Sequence, residues 1–329
     1  MSGPANQNGS GNDRSPMKNT CGICGSPSLE VTTETFSLEE ILQRWEREAD
    51  VKFTNAVWQQ YTQPAPPQVT LYRCPECGFK VFDPPVAGSS DFYKCITTSD
   101  GSCYTPQKWE FKQAISDIRR RGCRRVLDIG SGSGFFLDLL ADSLPGVQHM
   151  GFEFNEEMSE LIRSKGHEMR YGESPEILLG EEKFDAVTVF QVLEHVVDPT
   201  QLIAIARRLL RAGGLLLIAV PDNGGPVRYF SDALTELPPH HLSRWRASTF
   251  RKGLPHLGFD VQRIAYEPLP AYLWRDYLPV ILENSRLPRS IVQALNKNQR
   301  LERLLHKLRL QSLRGVRGHS IYVSARRRG

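Results

Sequence analysis

From about residue 107 onward, short runs of apolar residues alternate with stretches whose apolar positions recur every three or four residues. The runs at 125–129, 150–154, 184–190 and 215–220 are followed by turn-forming or polar residues and predict buried strands. Between them, 135–142, 156–165 and 201–211 predict helices. A helix at 248–256, a turn at Gly258 and a strand at 259–264 follow. Strands alternating with helices predict the α/β class: a doubly wound, mostly parallel sheet covered by helices.

Upstream the pattern changes. Residues 1–18 are Gly, Asn, Ser and Pro with almost nothing to bury, which predicts a disordered leader. A cysteine-bearing segment occupies 19–90. Within it, 36–58 carries Leu38, Ile41, Leu42 and Trp45 at helical spacing, and Gln63-Pro64-Ala65-Pro66-Pro67 breaks the chain before a short strand into Cys74. The α/β domain is expected over 105–329.

Composition is ordinary for a globular protein, 40% hydrophobic and 24% charged, which excludes collagen-like, coiled-coil and wholly disordered classes. The formal charge of +4 hides an asymmetry: from Arg286 to the end twelve Lys or Arg face one acid, Glu302, so this stretch carries +11 and the remainder −7. No window reaches the roughly 20 uncharged apolar residues of a membrane span. The first residues lack the apolar core of a secretory signal, so the expected location is cytoplasmic. In a reducing compartment the seven cysteines read as metal ligands or buried thiols.

Cys21-Gly22-Ile23-Cys24-Gly25 and Cys74-Pro75-Glu76-Cys77-Gly78 are each a Cys-x-x-Cys followed by glycine. Two such turns supply four thiolates, Cys21, Cys24, Cys74 and Cys77, enough to close a tetrahedron around a structural Zn2+ with no position left for catalysis. A redox pair or unrelated thiols is the alternative. Cys95, Cys103 and Cys123 have no partner at ligand spacing and read as packing thiols.

Three landmarks carry the chemistry of the α/β domain. The strand ending at Ile129 runs into Gly130-Ser131-Gly132-Ser133-Gly134 and then a helix, so a ligand can approach the backbone and meet free N–H donors. A dinucleotide fingerprint would place glycine at 135, where Phe135 stands, so the loop suits a ligand without a pyrophosphate. The next strand ends in Glu153, placed to accept both ribose hydroxyls of a nucleoside. The third, 184–190, runs into Gln191-Val192-Leu193-Glu194-His195 at the carboxyl edge of the sheet, where ligands of such sheets sit.

Taken together, these elements resemble class I S-adenosylmethionine-dependent methyltransferases. The Leu193-Glu194-His195-Val196 element and the later His240-His241-Leu242-Ser243 resemble the branch that includes the ubiquinone-biosynthesis O-methyltransferases. The cysteine pairs, with Phe82-Asp83-Pro84-Pro85 and Lys108-Trp109-Glu110-Phe111, resemble bacterial sugar C-methyltransferases that carry a zinc-binding module ahead of the catalytic domain. The resemblance implies a seven-stranded Rossmann-like methyltransferase sheet, closed by an antiparallel strand at about 319–325, beside a small zinc-ribbon-like module. It implies S-adenosylmethionine as cofactor, with Gly130, Gly132 and Gly134 cradling its methionine part and Asp128 fixing the loop. Glu153, with Phe154 beside it, would bind the ribose, Gly172 and Glu173 would lie near the adenine, and Gln191, Glu194 and His195 would form the lip towards the acceptor.

Methyl transfer from a sulfonium is an in-line displacement that needs alignment and, for a hydroxyl nucleophile, a base. An imidazole near neutral pKa suits that role, and the resemblance, closest at His241, makes His241 the first candidate for the base, then His240 and His195. The expected acceptor is a small molecule methylated at O or C, a sugar or sugar-nucleotide being favoured by the zinc-module resemblance. The second reading is an RNA methyltransferase that grips phosphates with the zinc module and a basic amphipathic insertion at about 268–316. That insertion, with Tyr272, Trp274 and Tyr277 and a later stripe through Ile291, Leu295, Leu304, Leu305 and Leu308, can equally be a solvated face, a lid, a dimer surface or a peripheral membrane contact. The oligomeric state stays open, and a scaffold with a vestigial methyltransferase fold is the third reading.

Overall fold

The computed structural model describes residues 20–65, 67–98, 108–178, 180, 183–270, 273–284, 289–290 and 317–329. The expected leader, Cys103 and most of the basic insertion, including its leucine stripe, lie outside the described residues. The first half of the chain forms β1 (Glu30–Ser37), α1 (Leu38–Glu48), α2 (Asn55–Thr62), β2 (Gln68–Arg73), β3 (Lys80–Asp83), α3 (Ser90–Thr98), α4 (Trp109–Arg121), β4 (Arg125–Ile129), α5 (Phe135–Ser143), β5 (Gln148–Glu153) and α6 (Glu156–Ser164). There follow β6 (Glu168–Tyr171), β7 (Phe184–Phe190), α7 (Pro199–Leu209), β8 (Leu210–Pro221), β9 (Ser243–Arg244), α8 (Ala247–His256), β10 (Phe259–Pro268), α9 (Trp274–Glu283) and β11 (Arg317–Arg327).

The large sheet has the order β10-β11-β8-β7-β4-β5-β6. Its β8-β7-β4-β5-β6 part is parallel throughout, and β11 runs antiparallel between β8 and β10. This is the expected doubly wound, seven-stranded, mostly parallel sheet. Strand order reverses between β4 and β7, which opens a crevice at their carboxyl ends. Side chains divide between the two faces with the period of two that strands impose. Leu127, Ile129, Val187, Val189, Leu216 and Ile218 share a core with Leu202, Ile203 and Ala206 of α7. Val126, Ala186, Leu217 and Ala219 share another with Phe111, Ile115 and Ile118 of α4 and Phe136 of α5.

Local signals set the helix ends. Asp198 caps α7 by accepting the Gln201 N–H at 2.9 Å, with Pro199 in the first turn, and Asn155 caps α6 through the Met158 N–H at 3.1 Å. Two expectations shift. The single helical stretch at 36–58 is two helices, because the chain turns at Asp50, a short polar residue that tolerates its φ of +52°. The helix expected to reach 211 stops at Leu209, and β8 starts directly behind it; Gly213, at φ +74°, bends the strand where its pairing with β7 shifts register.

The cysteine segment builds an antiparallel sheet, β1-β2-β3-β9, whose fourth strand comes from far along the chain. Arg244 in β9, 3% exposed, meets Glu34 of β1 at 2.8 Å, donates to the carbonyls of Ser231 and Glu236, and lies over the Phe82 ring. Cys21, Ile23, Cys74, Cys77 and Phe79 occupy the same core as Trp245, Phe250 and Leu254, so segment and α/β domain share buried surface. Among the described residues no helix is long and apolar enough to cross a membrane.

Candidate active site

β4 delivers the chain to the crevice, and the glycines then make the loop possible. Gly130, Gly132 and Gly134 take φ values of +76°, +52° and +77°, which side-chain-bearing residues adopt only at a cost. A Cβ on Gly130 would sit 2.3 Å from Cγ2 of Val192. The N–H groups of Gly130 and Ser131 both donate to the Phe152 carbonyl, at 2.8 and 3.2 Å, which ties the loop to β5. Below it Asp128, 2% exposed, accepts the Thr188 hydroxyl at 2.5 Å. Burial pushes its carboxyl up to about 7, and the Thr188 bond pulls the other way.

Glu153 stands at the end of β5, 8% exposed. Its Oε2 accepts the Gly132 N–H at 2.7 Å, and its Oε1 accepts those of Phe154 and Asn155 at 2.9 and 3.2 Å. Burial raises its pKa while these three amides oppose the rise. With three of about four acceptor positions engaged, the carboxylate is fixed in orientation and keeps capacity for a hydroxyl. Phe154 is 36% exposed and meets Phe152 edge-on. Glu173 is exposed beyond β6, and Ile177, 57% exposed, adds an apolar rim that the sequence reading missed.

The lip forms where β7 ends. Gln191 holds a φ of +55°, unusual for a residue with a side chain. Its N–H donates to the Ala219 carbonyl at 2.7 Å, and its amide donates to Glu110 at 3.1 Å and Ser320 at 3.3 Å. Glu110 is buried, as is Glu267, whose Oε2 accepts the N–H groups of His319 and Ser320; burial first, then the nearby Glu110 charge, pushes Glu267 up to about 7. The sequence assigns neither acid a role: Glu110 stands within the Lys108-Trp109-Glu110-Phe111 element at the start of α4, and Glu267 on β10 lies in no motif.

Beyond Gln191 the structure brings His195, His240 and His241 together, with ring centroids 4.4 to 4.8 Å apart. The loop after β8 carries the last two back over the end of β7, where Leu242 and Ser243 donate to the Glu194 carbonyl. Tyr93 of α3 also reaches His195, with its hydroxyl 3.0 Å from Nδ1. His241 is 5% exposed, whereas a quarter of the His195 side chain is open. Burial, with the mutual proximity of the rings, holds His195 and His241 well below the ordinary histidine value, so both are neutral near pH 7. Glu194 is 1% exposed, and burial pushes it up to about 8.

The four cysteines converge at the core that the small sheet shares with the α/β domain. The Cys21–Cys77 and Cys24–Cys74 Sγ separations are 3.8 and 3.6 Å. Four thiolates on a tetrahedral zinc with bonds of about 2.3 Å are about 3.8 Å apart, so the arrangement fits Zn2+. Gly25 and Gly78, at φ +74° and +78°, let each turn fold under its second sulfur and donate to the Cys21 and Cys74 carbonyls. Cys123, by contrast, is buried in the α/β core, and burial pushes its thiol up to about 11.

Comparison with known proteins finds relatives of the α/β part. Residues 102–264 match the family model described as "Methyltransferase domain". A Mycolicibacterium smegmatis protein named "Probable S-adenosylmethionine-dependent methyltransferase" is 30% identical over 141 residues, 42% of this chain and 53% of its own length. A ubiquinone biosynthesis O-methyltransferase of Xanthomonas oryzae is 38% identical over 104 residues, 29% of this chain and 42% of its own. The chain thus spans about half the length of the curated relatives it matches. Among solved structures, an S-adenosylmethionine-dependent methyltransferase from Archaeoglobus fulgidus aligns over 66% of this chain and 94% of its own, at 22% identity and a TM-score of 0.43. Within the α/β part of the molecule, residues 102–264 are thus similar to a methyltransferase domain.

Proposed function

We propose that the protein transfers a methyl group from S-adenosylmethionine to an oxygen or carbon of a small-molecule acceptor. The observation that carries this reading is the Gly130–Gly134 loop locked to Glu153 through the Gly132 N–H, facing a cluster of neutral imidazoles at the same sheet edge. The residues fit the cofactor: the loop glycines pack directly against Val192 and Ile162 in left-handed conformations that hold the backbone close to the sheet edge, and Glu153, fixed by three backbone amides, keeps an acceptor position for a ribose hydroxyl. Phe154 and Ile177 offer apolar surface beside it for a purine. When bound, S-adenosylmethionine supplies an electrophilic methyl group.

The chain's own residues then align and deprotonate the acceptor. Gln191, fixed by Glu110 and Ser320, borders the path between the loop and the histidines. His195 and His240 are the partly exposed imidazoles open to an acceptor, whereas His241, first choice for the base from the sequence, is buried and lies 3.4 Å from Glu236. A neutral imidazole accepts a proton from an activated hydroxyl or from carbon beside a carbonyl. The ubiquinone-type relatives favour oxygen; the cysteine module favours a sugar or sugar-nucleotide. Incubation of the purified chain with methyl-labelled cofactor and a panel of sugar nucleotides and phenols tests the reading. Label in one of them is expected, and label in RNA alone would replace it with the phosphate-gripping alternative.

A further inference from the structure

Two of the three imidazoles at the lip, His195 and His240, are held through Nδ1 by backbone carbonyls, and the third lies near a buried carboxylate. Nδ1 of His195 donates to the His240 carbonyl at 2.7 Å, that of His240 donates to the Thr235 carbonyl at 3.0 Å, and that of His241 faces Glu236 Oε1 at 3.4 Å. A carbonyl only accepts, so in neutral His195 and His240 the proton sits on Nδ1 and the lone pair on Nε2. One ring nitrogen of each histidine lies within 4.8 Å of the others. Beside them, both carboxylate oxygens of Glu194 are buried without a hydrogen-bond partner, and Oε1 stands 4.0 Å from Nε2 of His195. A buried carboxyl with neither oxygen satisfied is costly unless a cation or donor completes it.

We infer that His195, His240, His241 and Glu194 bind one divalent transition-metal ion, at a site distinct from the four cysteines. Imidazole nitrogens with a single carboxylate suit zinc or a neighbouring first-row ion and not magnesium or calcium, which take oxygen ligands. Nδ1 groups donating to carbonyls, as in His195 and His240, are an outer-shell arrangement that leaves Nε2 free for a metal. On a tetrahedral ion with bonds of about 2.0 Å the ligand atoms lie about 3.3 Å apart, so the histidine nitrogens, now within 4.8 Å of one another, and Glu194 Oε1, 4.0 Å from His195, must draw together by up to about 1.5 Å. The partly open His195 leaves one flank of the ion accessible. Resting on the methyltransferase reading, this makes a hydroxyl the favoured acceptor group and replaces the free imidazole base by the ion, since an oxygen bound to the ion loses its proton more readily while the ligating nitrogens no longer accept one.

The test uses the full-length protein dialysed against Zn2+, with metal content and zinc-edge X-ray absorption measured on one sample. The site predicts about two zinc ions per chain and a mixed shell, sulfur at about 2.3 Å and nitrogen or oxygen at about 2.0 Å. Glu194→Gln, His195→Ala and His241→Ala are each expected to lower the count by about one and leave the sulfur shell. A wild-type shell of sulfur alone overturns the inference, and because it is read on the wild type, misfolding of a variant cannot obscure it. Two ions retained in the doubly substituted His195→Ala/His241→Ala chain overturns it as well. S-adenosylhomocysteine affinity on the same sample separates the two claims. A mixed shell without ligand binding sinks the methyltransferase reading alone, and ligand binding with a sulfur-only shell sinks the ion site alone.

Discussion

Asp128 offers a sharp test of the loop's electrostatics. Its carboxyl is 2% exposed, and burial pushes its pKa up to about 7 from the ordinary 3.8. A raised folded-state value means that the folded protein holds a proton the unfolded chain has released. The resulting stability is present at low pH and lost as pH climbs through 7. At pH 5 the folded group lies two pH units below its pKa, worth about 2.7 kcal/mol; at pH 8 almost nothing remains. Asparagine keeps the acceptor for Thr188 but cannot titrate. The unfolding free energy of the wild type should therefore fall by about 2.7 kcal/mol relative to Asp128→Asn between pH 5 and pH 8. Urea titrations of both proteins at four pH values measure this, and the difference between the curves cancels the histidines and every other shared group. Parallel curves would refute the reasoning, because they would mean that Asp128 is ionised in the folded protein as readily as in the unfolded one. If its carboxylate receives the cofactor's ammonium, S-adenosylhomocysteine affinity should also rise with pH through 7, and Asp128→Asn should flatten that rise.

Other perturbations follow from single contacts. Gly130→Ala sets a Cβ 2.3 Å from Val192 at φ +76° and should cost about 3 kcal/mol of stability by urea unfolding, while abolishing S-adenosylhomocysteine binding. Glu153→Gln disturbs an acceptor of three backbone N–H groups and should weaken that binding at least about tenfold by calorimetry, with an unchanged affinity placing the ribose elsewhere. Glu34→Ala leaves the buried Arg244 guanidinium with only carbonyl partners and should cost about 2 kcal/mol by the same urea assay. Cys74→Ser should lower the melting temperature of the whole chain by at least about 5 °C in calorimetry, since the Cys turns share a core with Trp245 and Phe250; a separate early transition with the main one unmoved would contradict that coupling.

The large sheet was legible because parallel strands buried on both faces leave continuous apolar runs, as 184–190 does. Glycines at 130, 132 and 134 and the acid at 153 were legible for a related reason: only certain residues satisfy a left-handed turn or a fixed acceptor position. The small sheet was not legible. β9 has two residues, and its pairing with β3 depends on Arg244 meeting Glu34 across 210 positions of sequence, a contact with no local pattern. α4 carried a readable stripe, Phe111, Ala114, Ile115 and Ile118 ending at Gly122, yet its contribution to the site, Glu110, sits where that stripe predicts an apolar side chain. The individual histidines were visible as candidates. That Nδ1 of His195 and of His240 is tied back to a carbonyl, and that Glu194 is left unsatisfied beside them, depends on a loop returning over β7 and could only be seen in three dimensions.

The most direct measurement of the central claim is isothermal titration of the zinc-loaded, folded protein with S-adenosylhomocysteine. The account predicts one molecule bound per chain at about micromolar affinity, with Gly130→Ala abolishing the heat. No heat from folded protein that retains its zinc would contradict the claim that the glycine loop and Glu153 hold this cofactor.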